Sequence, residues 1–278
     1  MPSRSPVLIG LPYDASSSFL RGPALAPPRI REALRSAAGN SWSESLTDIA
    51  APGALADVGD LELPDDDGAR AVIEAGITSL LAGGGIPVSL GGDHSVTYPI
   101  LRALQGATPR PTILHIDAHP DLYEDFEGNR HSHACPFARI HDDGLVARHV
   151  QVGIRTMNAH QRAQAERHGV EVIDMRSWAH GVRPSVSGPV YLSIDLDGLD
   201  PAFAPGVSHR EPGGLSTREV ITLIQECGGT LVGADVVEFN PLQDATDCTA
   251  RVAAKLVKEI AARVLTGGIR ADAGGDVA

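Results

Sequence analysis

Short apolar runs alternate with amphipathic segments from one end of this chain to the other, and that alternation limits the fold more than any other feature. The runs PVLIGL (6–11), IPVSL (86–90), TILHID (112–117), HVQVGI (149–154), VEVIDM (170–175), VYLSID (190–195) and TLVGADVVEF (230–239) read as strands. Several are nearly continuous in apolar residues, as expected for strands buried on both faces. Between them, 28–38, 69–83, 95–105, 158–168, 216–227 and 248–265 read as helices. In the last, Val252, Leu256, Ile260 and Val264 recur every four residues and form one apolar stripe. Ser216 stands three residues before Glu219, the pattern of a capping box. Strand–helix alternation of this kind gives one α/β domain, with a mainly parallel sheet and helices on both faces. No linker divides residues 1–268, and only 269–278 read as a loose tail.

The strands end in acids and histidines. IPVSL runs into GGDHS at His94, and TILHI runs into DAHPD with Asp117, His119 and Asp121. VYLSI runs into DLDGLDP with Asp195, Asp197 and Asp200, and the last strand carries Glu238 near its end. Ligands of open α/β sheets bind beyond the carboxyl ends of the strands. Four strands therefore bring these groups to one edge. Two like charges about 4 Å apart repel by roughly 4 kcal/mol at an effective dielectric of 20. Such a cluster takes up protons or holds cations, and histidine beside aspartate favours the cation. Asp117, His119 and Asp121 alternate at period two and can share a face, as can Asp195 and Asp197. With bridging carboxylates, these residues and His94 suffice for two metals. An oxygen-rich set with two histidines and no thiolate suits Mn²⁺ better than a structural zinc.

Composition narrows the partners. The net charge is −12, from 35 acidic and 23 basic residues, which argues against nucleic acid and against an anionic membrane. Aromatic residues are only 4%, too few for base-stacking platforms. No apolar run approaches the ~18 residues of a membrane span. The apolar opening stops at Pro12, shorter than the core of a secretory signal. Three cysteines (Cys135, Cys227, Cys248) cannot build a disulfide framework and read as packing residues. Together these features predict a soluble protein of the reducing cytoplasm. His115 is expected in or behind the site, and His141, His149, His160, His168 and His180 are expected in solvent.

GGDHS, DAHPD, SIDLDGLDP and VEFNP, in this order, resemble the motif set of the ureohydrolases, the arginases, agmatinases and their relatives. The segments DAHPDLYEDFEGNRHSHACPFARI, DPAFAPGVSHREPGGLS and GADVVEFNPLQDATDCTARVAAKLVKEI resemble the agmatinase-like arginases of plants especially closely. The resemblance implies a three-layer α/β/α sandwich with a mainly parallel eight-stranded sheet, and a centre of two Mn²⁺ per chain. His94, Asp117, Asp121 and Asp195 would hold one ion. Asp117, His119, Asp195 and Asp197 would hold the other, with Asp117 and Asp195 bridging. The implied reaction is hydrolysis of a guanidinium group to urea and a primary amine, by water that two metals activate. Asp121 would hold the attacking water and the tetrahedral intermediate. Glu238 would pair with the guanidinium N–H groups, and His133, in HSHACPF, would protonate the departing amine. A homo-oligomer, trimer or hexamer, is also implied.

Substrate choice turns on the α-carboxylate, which arginine has and agmatine lacks. The segment EGNRHSH offers Asn129, Arg130, His131 and Ser132 as donors for it. Asn158, where animal arginases carry an aspartate after VGIR, is placed to accept from the α-amino group. This chain reads SHREPGGL where agmatinases typically read GTPEPGGL. L-Arginine is the expected substrate. Agmatine or another guanidino acid is the alternative within the class, and a one-zinc deacetylase-like hydrolase or a non-enzymatic metal binder lies outside it.

Overall fold

A computed structural model describes residues 5–267. Eight strands form one sheet: β1 (Pro6–Gly10), β2 (Ala56–Asp60), β3 (Ile86–Leu90), β4 (Thr112–Ile116), β5 (Arg148–Ile154), β6 (Glu171–Asp174), β7 (Pro189–Asp195) and β8 (Thr230–Val237). Their order is β2-β1-β3-β8-β7-β4-β5-β6, and every pair is parallel. The central strands β3, β8, β7 and β4 are the four whose ends carry the acids and histidines. The chain crosses from β3 to β4, and β7 and β8 later fill the gap between them. That reversal of strand order opens a crevice beyond the carboxyl ends, where α/β sheets bind ligands.

Helices cover both faces. Helices α1 (Ala26–Leu34), α6 (Met175–Ala179), α7 (Thr217–Glu226) and α8 (Cys248–Leu265) pack on one. There Ile30, Trp178, Ile224, Leu256 and Ile260 meet Val88, Leu114, Val152 and Leu192 of the sheet. Helices α2 (Ala69–Ala82), α3 (Thr97–Leu104), α4 (Pro136–Asp142) and α5 (Ala159–His168) pack on the other, through Ile73, Ile77, Ile100, Phe137 and Ala165. The arrangement is the expected three-layer α/β/α sandwich. The Ser216–Glu219 capping box opens α7 in both directions, Glu219 N–H to Ser216 Oγ at 3.2 Å and Ser216 N–H to Glu219 Oε2 at 2.8 Å.

Strand β2 went unpredicted because ADVGD offers no apolar run: all five of its residues are exposed at the sheet edge. Arg31 of α1 reaches across to Asp57 at 3.0 Å and to Asp60. His149 corrects the expectation of a solvated side chain. It sits 1% exposed on β5, a strand with no wet face. Cys135 and Cys227 are buried, and all three cysteines are unpaired. Among the described residues, no helix is long and apolar enough to cross a membrane. The expected tail, 269–278, lies outside the described residues.

Candidate metal centre and active site

Each strand end turns its ligands inward by a local device. After β3 the chain passes so close to the backbone of Tyr13 that a Cβ on Gly92 would lie 1.7 Å from its carbonyl oxygen. Only glycine allows this approach, and it brings His94 to the sheet end. After β7, Asp195 caps a short 3₁₀ turn by accepting the Asp197 N–H at 2.8 Å, which places Asp197 beside it. Asp121 and Glu238 both adopt left-handed backbone, with φ of 50° and 62°. Such strain costs about 1–3 kcal/mol and collects at functional sites. Here it ends β8 at Val237 and turns Glu238 toward the crevice.

Fully buried His94 fixes the nature of the site. Its Nε2 lies 2.9 Å from Ser193 Oγ, and Ser193 donates its own proton to Asp235 at 2.7 Å. Ser193 must therefore accept from Nε2–H, so in the neutral ring Nδ1 carries the lone pair. That Nδ1 has no hydrogen-bond partner among the described residues. It lies 3.2 Å from Asp117 Oδ2, 3.0 Å from Asp121 Oδ2 and 3.2 Å from Asp195 Oδ2. A lone pair aimed at three carboxylate oxygens in the interior is repulsive unless a cation lies among them. A second group adjoins it: His119 Nδ1 lies 3.1 Å from Asp197 Oδ2 and 3.5 Å from Asp117 Oδ1. Asp117 thus offers one oxygen to each group. Asp195 stands in the first only, through Oδ2. From behind, His115 Nε2 donates to Asp117 Oδ2 at 2.8 Å and is braced by Gln151 at 3.1 Å.

Glu238 and His133 sit beside this cage. Oε1 of Glu238 accepts the His94 N–H at 2.9 Å and His133 Nδ1–H at 2.8 Å, and its Oε2 has no hydrogen-bond partner among the described residues. Ser18 donates its N–H to His133 Nε2 at 3.1 Å, with its hydroxyl 2.7 Å away. Burial opposes charge on His133, but Glu238, Asp93 and Asp121 outweigh it and raise the imidazole to about 9. The Ser18 N–H pulls the other way, since it needs a lone pair on Nε2. The raised value keeps the ring protonated near neutral pH, as suits a proton donor. A cavity of about 200 Å³ is lined by His119, Asp121, His133, Asp195, Asp197 and Glu238. Larger clefts elsewhere, such as one of about 380 Å³ beside Trp178, gather no comparable set of carboxylates and imidazoles.

The profile of the arginase family matches residues 4–262. This chain belongs to the arginase family. Arginase 1, mitochondrial, of Arabidopsis thaliana is 47% identical over 92% of the chain and 80% of its own length. The agmatinase of Bacillus subtilis is 33% identical over 91% and 90%. The solved arginase of Medicago truncatula superposes with a TM-score of 0.89 at 43% identity, over 94% of this chain and 88% of that one. This is an arginase-family hydrolase with the family's α/β fold. The names of the plant relatives correct the expected cytoplasmic location. The Arabidopsis relatives are named mitochondrial and chloroplastic/mitochondrial. Unpaired cysteines distinguish reducing from oxidising surroundings, not one reducing compartment from another.

The ligands and the Glu238–His133 pair converge in this arginase-family site, but the expected substrate contacts do not. Asn129 is exposed, its Oδ1 engaged by the His131 N–H at 2.8 Å. Arg130 is exposed, and His131 stacks on Tyr98. Ser132 is buried, its Oγ accepting the Ala134 N–H at 3.3 Å. Asn158 caps α5 with Oδ1 and donates Nδ2–H to Tyr123 at 2.6 Å. None of these residues lines the cavity; Ser18, Tyr123, Phe126, Thr156, Gln161 and His209 do. Ser18 and Tyr123 lie in segments that resemble the family without being marked as contacts, and no motif covers Gln161. His209 stood in plain view in SHREPGGL.

The cage also sets a pH dependence. Burial first, and then neighbouring acids, raise Asp197 to about 6 and Asp93 to about 7. These pKa values lie above the unfolded ~3.9, so their contribution to stability is complete below pH ~4 and is lost as pH rises through 6 and 7. His133, about 9 when folded, adds stability that is complete below ~6.5 and lost toward 9. All three have the same sign, so their own contribution to the metal-free protein falls as pH rises from 5.5 to 8.5, while His141 and His149, held low by burial, act in the opposite sense below ~6.5. A divalent cation needs the deprotonated ligands. The increase in Tm on adding Mn²⁺ should therefore be larger at pH 8.5 than at pH 5.5. An equal or smaller increase at pH 8.5, measured by calorimetry, would contradict the cage.

Proposed function

We propose that this protein is a binuclear manganese amidinohydrolase that converts L-arginine to urea and ornithine. One observation carries the reading: the unpaired, buried Nδ1 of His94 faces three carboxylate oxygens, beside a cavity walled by Glu238 and His133. Two bound Mn²⁺ supply the Lewis acidity that makes water a nucleophile near neutral pH. His94, Asp117, His119, Asp121, Asp195 and Asp197 hold them. Glu238 presents Oε2 to the guanidinium N–H groups and fixes the reacting carbon, since charged pairing of this kind is strong and directional. Asp121 accepts a hydrogen bond from the attacking water. His133, tied to Glu238 through Nδ1, delivers a proton to the departing nitrogen. The resemblance adds assembly into a trimer or hexamer.

Agmatine is the second reading. It is favoured by the absence of Asn129, Ser132 and Asn158 from the cavity, which leaves the α-carboxylate without the donors first assigned to it. Urea release from L-arginine, agmatine, guanidinobutyrate and guanidinopropionate by Mn²⁺-loaded protein decides between them. We expect kcat/KM for L-arginine to exceed that for agmatine at least tenfold. Agmatine ahead by tenfold would replace arginine as substrate, and no urea from any of the four would overturn the reaction class.

A further inference from the structure

His209 lines the cavity beside the reacting groups. Its ring centroid is 5.3 Å from that of His133 and 5.8 Å from that of His119, and on its outer side 5.6 Å from that of Phe19, which is 66% exposed. It therefore stands between the buried reacting groups and the mouth, and it lines the cavity. Its loop is firmly held. Gly206 N–H donates to Thr249 Oγ1 at 2.7 Å, Val207 pairs with Phe239 beyond the end of β8, and buried Asn240 donates to Ser208 Oγ at 2.9 Å. The ring has no hydrogen bond to any described residue, whereas Thr156 gives its hydroxyl proton to Ala118 O at 3.0 Å. An imidazole carries at least one N–H donor. A carboxylate entering beside Asp121, Asp195, Asp197 and Glu238 needs such a donor.

We propose that His209 is the specificity-determining residue of this site, donating a ring N–H to the carboxylate at the non-reacting end of a guanidino acid. The inference rests on the arginine-hydrolysing reading above. It assigns to the SHREPGGL loop the recognition that the Asn129–Ser132 segment does not reach.

The test compares L-arginine with agmatine in Mn²⁺-loaded wild type, His209→Ala and His209→Asn. Loss of one hydrogen bond to a charged group should raise KM for L-arginine by about 10- to 100-fold. The kcat should stay within about threefold, and kcat/KM for agmatine should be nearly unchanged, because agmatine has no carboxylate to lose. His209→Asn, which keeps an N–H donor, should recover part of the discrimination. Calorimetric binding of L-ornithine should weaken in His209→Ala, while binding of putrescine should not. An equal loss for both substrates, or no change for either, would overturn the assignment. Wild type that releases no urea would instead fail the functional reading itself, and wild type that prefers agmatine would overturn His209 as a carboxylate donor. If His209→Ala does not fold, His209→Leu, which also lacks an N–H donor, takes its place: discrimination equal to wild type in that folded variant would overturn the assignment.

Discussion

Glu238→Gln is expected to lower kcat/KM for the guanidino substrate by about a thousandfold or more, while the cations stay bound. Glu238 is 3% exposed and held in left-handed backbone, so its side chain has little freedom to move. The amide is nearly isosteric and can still accept from the His94 N–H and His133. What it loses is the negative charge, and what it turns toward the cavity is an N–H₂ group facing the N–H groups of the substrate. Truncating one member of a buried, hydrogen-bonded charge pair costs about 2–5 kcal/mol, and disturbing a positioned proton donor costs about 10²–10⁴-fold. Removing the charge also withdraws the group that does most to raise His133, so the protonated imidazole should become scarcer near pH 7. Rates within tenfold of wild type would place the guanidinium elsewhere. Because Glu238 lies outside both ligand groups, unchanged metal content would separate this effect from loss of the centre.

The parts of this protein legible in the sequence are those fixed by burial. Strands β1, β3, β4 and β7 are covered on both faces, so their apolar runs announce them, and the ligands follow because they sit where those runs stop. Strand β2 has no such signal: an edge strand held by Arg31 through its own aspartates reads as a polar loop. The same limit applies to the cavity wall. Whether Asn129 or Asn158 faces a substrate depends on turn and cap hydrogen bonds, and Asn158 proved to serve the first turn of α5. His149 differs in the opposite direction, since a polar residue in a doubly covered strand is buried whatever its own preference, as Gln151 beside it also is. His209 is visible in SHREPGGL, but its place in the cavity wall is not, because that depends on a loop pinned to the end of β8, a contact between segments distant in sequence.

Asp117→Ala should empty both cation sites, because Asp117 has one oxygen in each group. The alanine also leaves His94, His115 and His119 without their shared carboxylate, so no local rearrangement replaces it. Activity should fall to background. His94→Ala, by contrast, should weaken mainly the first site, since His94 faces Asp117, Asp121 and Asp195 and no atom of the second group other than those of Asp117. These losses have meaning only against the occupancy of the intact protein, and that occupancy is the most direct test of the account. Wild-type protein loaded with Mn²⁺, freed of unbound metal by dialysis and assayed by elemental mass spectrometry, should carry two ions per chain. One ion per chain, or none, would contradict the binuclear centre.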